Sequence, residues 1–166
     1  MNEEKNILIL GIGNEVLGDE SLALRLTVDL QQSDSINGAD YQQLYLGGLS
    51  ILECIEGYKT LIVLDTTHTQ EEKPGHVFGM SVNNFKETLH LSSTHDVPFL
   101  TALEVGTKLG FRIPGNIFVI AVEIEPDLTL GTSLSSNIEN QYDTILSNVH
   151  KLIQQYVSIS KSRTFK

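Results

Sequence analysis

The sequence is poor in several features that would direct it to other classes of protein. It has a single cysteine, Cys54, so no intrachain disulfide can form, which fits a reducing compartment. Its longest apolar run, Ile117 to Val122, falls far short of the roughly 20 residues needed to span a bilayer. Basic residues are scarce: 11 Lys and Arg stand against 21 Asp and Glu, for a formal net charge of −10. A field of that sign repels phosphate backbones. Neither a nucleic-acid partner nor a membrane is therefore expected. The opening Met1-Asn2-Glu3-Glu4-Lys5 lacks the basic and apolar regions of a secretory signal, and a cytoplasmic protein is expected.

What is present suits one folded domain. The 166 residues are 40% hydrophobic and 19% charged, an ordinary globular mixture with enough apolar material for a core. Asn6 to Gly11, Thr60 to Asp65 and Asn116 to Ile124 are apolar runs of the kind found in strands buried on both faces. Shorter strands are predicted at Tyr41 to Leu46 and His76 to Val82. Between them, Asp19 to Gln31 carries Leu22, Leu26 and Leu30 on one helical stripe. A short helix is predicted at Leu49 to Ile55 and a longer one at Pro98 to Leu109, with proline in its first turn. Asn137 to Val157 places Ile138, Tyr142, Ile145, Val149, Leu152 and Tyr156 on one face. This alternation predicts an α/β fold: a three-layer sandwich with a twisted, mostly parallel sheet between helices. The domain is expected over residues 1–157, with a disordered tail over 158–166.

In open sheets of this kind, ligands bind outside the carboxyl ends of the strands. Three such places carry notable residues. The first strand runs into Gly11-Ile12-Gly13-Asn14-Glu15-Val16-Leu17-Gly18-Asp19-Glu20; another strand ends in Asp65; the loop before Pro98 carries His95 and Asp96. Gly11-x-Gly13 after a strand suggests a dinucleotide site, but the residues oppose it. Val16 stands where a third glycine belongs, Asp19 and Glu20 would repel a pyrophosphate, and Leu46 offers no acid for a ribose. A nucleotide is not expected. Glu20, Asp65 and His95 instead offer two carboxylates and an imidazole, a donor set suited to borderline divalent ions such as nickel or zinc. His68, three residues after Asp65, is a candidate fourth ligand. Cys54 sits in an apolar helical pattern and reads as a small core residue.

At these residues the sequence resembles the maturation endopeptidases of nickel–iron hydrogenases. The resemblance is carried by Gly11-Ile12-Gly13-Asn14-Glu15-Val16-Leu17-Gly18-Asp19-Glu20, by Leu61-Ile62-Val63-Leu64-Asp65, by His95 ahead of a helix, and by Pro126-Asp127 with Gly131-Thr132-Ser133. It implies an enzyme that removes a C-terminal extension from the precursor of a hydrogenase large subunit after nickel insertion. It also implies that Glu20, Asp65 and His95 hold a metal supplied by the substrate, nickel, for which zinc or cadmium can substitute. Asn14 and Asp96 are accessory candidates.

The chain departs from the family pattern at Leu46-Gly47-Gly48-Leu49, where the family has Asp-Gly-Gly-Thr. Ala23 stands where glycine is common, and Asp96-Val97 follows the histidine where glutamine is common. With no Gly-x-Ser-x-Gly elbow, hydrolysis without a covalent intermediate is expected, Glu20 or Asp65 serving as general base on a water. The alternative is a non-catalytic relative that binds a metal or metalloprotein as an assembly factor.

Overall fold

The computed structural model describes residues 5–33, 36–45, 48–82, 98–126 and 130–163. Strands β1 (Lys5–Ile12), β2 (Ala39–Leu44), β3 (Tyr58–Thr67), β4 (Val77–Ser81) and β5 (Asn116–Glu123) form one sheet in the order β2-β1-β3-β5-β4. Helices α1 (Leu22–Gln32), α2 (Ile51–Ile55), α3 (Phe99–Lys108) and α4 (Ser136–Arg163) cover it. The first four strands of that order are mutually parallel, and β4 pairs with β5 antiparallel at the edge. The expected α/β sandwich with a mostly parallel sheet is what the chain forms.

Strand alternation builds the two outer layers. Ile7 and Ile9 of β1, Ile62 and Leu64 of β3, and Phe118 and Ile120 of β5 face α1 and α4. Leu8, Leu10 and Ile12, with Leu61, Val63, Ile117 and Val119, face α2 and α3. Both faces of the central strands are thus buried, which is why they read as unbroken apolar runs.

The chain leaves β1 toward β2 on one side, while β3 lies on the other side of β1. The β1/β3 boundary is therefore the topological switch point, where the carboxyl ends of neighbouring strands open a crevice. Among the described residues no helix is long and apolar enough to cross a membrane.

Most element boundaries shift by a residue or two from expectation, and three of the differences have a clear physical cause. The predicted Asp19–Gln31 helix begins as a 3-10 turn over Gly18–Ser21, and α1 proper starts at Leu22. Gly18 takes a positive φ of 43° and the Glu20 N–H closes a tight bond onto the Leu17 carbonyl, which an α-helical turn would not allow. Strand β3 continues past Asp65 to Thr67, because β5 runs alongside and pairs through Thr67↔Glu123. The tail expected to be disordered is helical through Arg163. Ile153, Val157 and Ser160 are buried, so the apolar seam of α4 runs on beyond the expected end. Leu152 and Tyr156, placed on that seam by spacing, are only partly buried.

Candidate functional site

Two of the expected site carboxylates lie at the switch point. Gly11 of β1 pairs with Leu64 of β3, so the last residue of β1 is level with Asp65. Asp65 is 0% exposed and by alternation shares the face of Leu61 and Val63. Its Oδ1 accepts a bond from the Thr66 N–H at 2.7 Å. Glu20, half-buried, stands on the turn that follows β1.

The backbone of Glu20 is held on every side. Its N–H donates to the Leu17 carbonyl at 2.9 Å and its carbonyl accepts from the Asn14 N–H at 3.2 Å. Asn14 shapes the approach, its Oδ1 accepting from the Val16 N–H at 3.2 Å. Gly13 lies directly beneath: a Cβ there would sit 2.5 Å from the Glu20 carbonyl oxygen. The two glycines read from sequence as a weak nucleotide signal thus serve close packing, Gly13 against Glu20 and Gly11 against α1.

Two segments that carry the family resemblance, far apart in sequence, meet here. Leu17 forms an isolated parallel bridge with Gly131. The Gly18 N–H donates to the Gly131 carbonyl at 2.8 Å, and the Gly131 N–H donates to the Val16 carbonyl at 3.0 Å. Asp19, 5% exposed, accepts bonds at 2.7 Å from both the N–H and the hydroxyl of Ser135. In the sequence Asp19 stands out only as an acid that would repel a pyrophosphate.

A further buried carboxylate had no signal in the sequence. Glu123, 1% exposed at the end of β5, accepts from the Thr69 hydroxyl and the Gln70 N–H, both at 2.9 Å. These bonds fix the loop after β3, where Gln70 adopts a φ of 61°. His68 is exposed on this loop. Among the described residues no three His, Cys, Asp or Glu side chains are grouped closely enough to hold a metal ion. His68 is therefore not gathered with Glu20 and Asp65 as a further ligand. His95, Asp96, Leu46 and Asp127 lie outside the described residues.

A groove of about 530 Å³ opens on the β2 side of the turn, lined by residues including Val16, Ser21, Leu24, Gln43, Tyr45 and Ser133. Neither Glu20 nor Asp65 lines it.

Cys54 is half-buried on α2 against the apolar layer. Burial, helped by the Glu53 charge, pushes its thiol pKa up. At pH 8 a disulfide reagent is expected to modify it roughly tenfold more slowly than free cysteine. A rate equal to free cysteine, followed by thiolate release, would contradict that environment.

The sequence model of the HycI hydrogenase maturation protease family matches residues 46–152, well over half of the chain. Among curated proteins none matches significantly by sequence. Solved structures resemble this one over nearly their whole length. A hydrogenase maturating endopeptidase, HybD, from Escherichia coli is 20% identical with a TM-score of 0.71, covering 90% of this chain and 93% of that one. A hydrogenase 2 maturation peptidase from a Thaumarchaeota archaeon is 23% identical with a TM-score of 0.60, covering 90% and 98%. A nickel–iron hydrogenase maturation protease, HycI, from Thermococcus kodakarensis is 18% identical with a TM-score of 0.60, covering 95% of each. At these identities the structures speak for the fold and the sequence model speaks for descent. The chain belongs to the hydrogenase maturation protease family, a family of peptidases.

Proposed function

We propose that this protein is the endopeptidase that removes the C-terminal extension from the nickel-loaded large-subunit precursor of a nickel–iron hydrogenase. The observation that carries the reading is the position of Asp65. Burying a carboxylate is costly, and this one lies two residues from the carboxyl end of a central strand, beside the strand whose next turn bears Glu20. Glu20, Asp65 and His95 hold the nickel that arrives in the substrate. One of the two carboxylates takes a proton from the attacking water, and the held precursor presents its scissile bond in reach. Hydrolysis breaks one C–N bond: the carboxyl carbon receives the water oxygen and the new amine receives a proton. No side chain is acylated. We place the reaction in the cytoplasm, in keeping with the lone cysteine.

The test is incubation of the purified protein with nickel-loaded precursor, followed by mass spectrometry. Wild type is expected to release one C-terminal peptide, and nickel-free precursor to stay intact. Glu20→Gln is expected to slow release about 100-fold. Binding of the loaded precursor without cleavage over many hours would overturn the peptidase reading in favour of a metalloprotein-binding assembly factor.

A further inference from the structure

We propose that Asp19, not itself a member of the reacting set, is the positioning residue for Glu20, and that it acts by anchoring the turn to Ser135. The proposal rests on the assignment of Glu20 to the site, and deepens it.

The turn is short and its register has little tolerance. From Gly18 to Ser21 it is a 3-10 turn, a geometry that seldom persists without outside support. It is closed by the Glu20 N–H on the Leu17 carbonyl, the Leu22 N–H on the Asp19 carbonyl, and the Ser21 hydroxyl on the Gly18 carbonyl at 2.7 Å. Further fixation comes from outside. Asp19 is the residue immediately before Glu20, and it is buried although charged. Both of its oxygens are engaged by one residue, Ser135, at 2.7 Å each. Ser135 in turn accepts the Ile138 N–H on its Oγ at 3.3 Å, so the anchor is seated at the first turn of α4.

A carboxylate held in this way has no freedom to approach a substrate. What it does is fix the peptide plane that leads into Glu20. On the other side of Glu20, the Asn14 N–H and the close approach of Gly13 fix the plane that leaves it. A side chain projecting from a backbone pinned at both ends samples a narrow range of positions, which is what a proton acceptor or metal ligand requires.

The experiment compares Asp19→Ala, Asp19→Asn and Ser135→Ala with wild type, and uses Tyr142→Phe as a control. Tyr142 donates from α4 to Asp29 of α1 at 2.7 Å; its removal loosens the same two helices away from the turn. Two readouts are taken. The first is hydrogen exchange at the amides of Asn14 and Glu20. Both are expected to lose most of their protection in Asp19→Ala, to lose part of it in Ser135→Ala, which keeps the backbone donor, to keep most of it in Asp19→Asn, and to be unchanged in Tyr142→Phe. The second is the kinetics of precursor cleavage. In Asp19→Ala, kcat is expected to fall about 100-fold with KM changed less than about threefold. Asp19→Asn is expected to recover at least roughly tenfold of that loss, because it keeps the acceptor for the Ser135 N–H. Adding Ser135→Ala to Asp19→Ala is expected to cost nothing more.

Unchanged protection at both amides in Asp19→Ala would overturn the proposal. So would an Asp19→Ala enzyme that cleaves as fast as wild type. If the exchange pattern appears but wild type cleaves no precursor, the positioning role stands and the peptidase reading fails.

Discussion

Asp65→Asn is expected to lower single-turnover cleavage of the nickel-loaded precursor by about 1,000-fold while leaving the fold intact. General-base assistance contributes on the order of 100- to 10,000-fold, and an amide can neither accept the water proton nor neutralise a divalent ion. The structural cost is small. Asparagine retains the carbonyl oxygen that accepts the Thr66 N–H at 2.7 Å, and its volume nearly equals that of aspartate. A wholly buried carboxylate also carries a desolvation cost that the amide escapes. The variant should therefore melt within about 2 °C of wild type or above it. Cleavage at the wild-type rate would remove Asp65 from the site altogether. Loss of activity together with unfolding would reassign it to the scaffold.

Gly11→Ala is expected to damage stability instead. The added Cβ would land on Thr27 Oγ1 and lie 2.7 Å from the Ala23 carbonyl oxygen. Thr27 Oγ1 already donates to that carbonyl at 2.7 Å, in the buried interior of α1. Thr27 has no free room in which to turn, and the Ala23 carbonyl belongs to helix backbone, so α1 must move away from β1. Overpacking of this kind costs about 3 kcal/mol, a fall in melting temperature of roughly 6–12 °C for a chain of this size. Combining it with Thr27→Ala removes one of the two clashes and should restore part of the loss. A melting temperature within about 2 °C of wild type would show that α1 is not seated on Gly11 as described.

How much of this was legible beforehand differs between strands, turns and distant contacts. The central strands announced themselves, since Leu61 to Leu64 and Ile117 to Val122 are buried on both faces and no polar residue interrupts them. The direction of β4 was not readable. Its residues are half-buried on an edge, and only the chain's return from the carboxyl end of β3 makes it run opposite to β5. Glu20 and Asp65 could be singled out because one follows a recognisable strand and the other closes an apolar run. Asp19 stood out only as an acid of the turn, because its partner is 116 positions away. Glu123 was passed over because an acid at the end of an apolar run looks like the strand's boundary. Its bonds to Thr69 and Gln70 exist only once β3 and β5 lie side by side.

The span between Asp19 and Ser135 also bears on the order in which the protein comes off the ribosome. Synthesis delivers β1, the turn and β3 early, so both carboxylates emerge well before residues 131 and 135. Until those residues arrive, Gly18 lacks the carbonyl that accepts its N–H and Asp19 lacks both of its donors. Contacts so distant in sequence form late, because a long loop must close first. A nascent chain stopped short of α4 would carry Glu20 and Asp65 without the contacts that anchor the turn leading into Glu20.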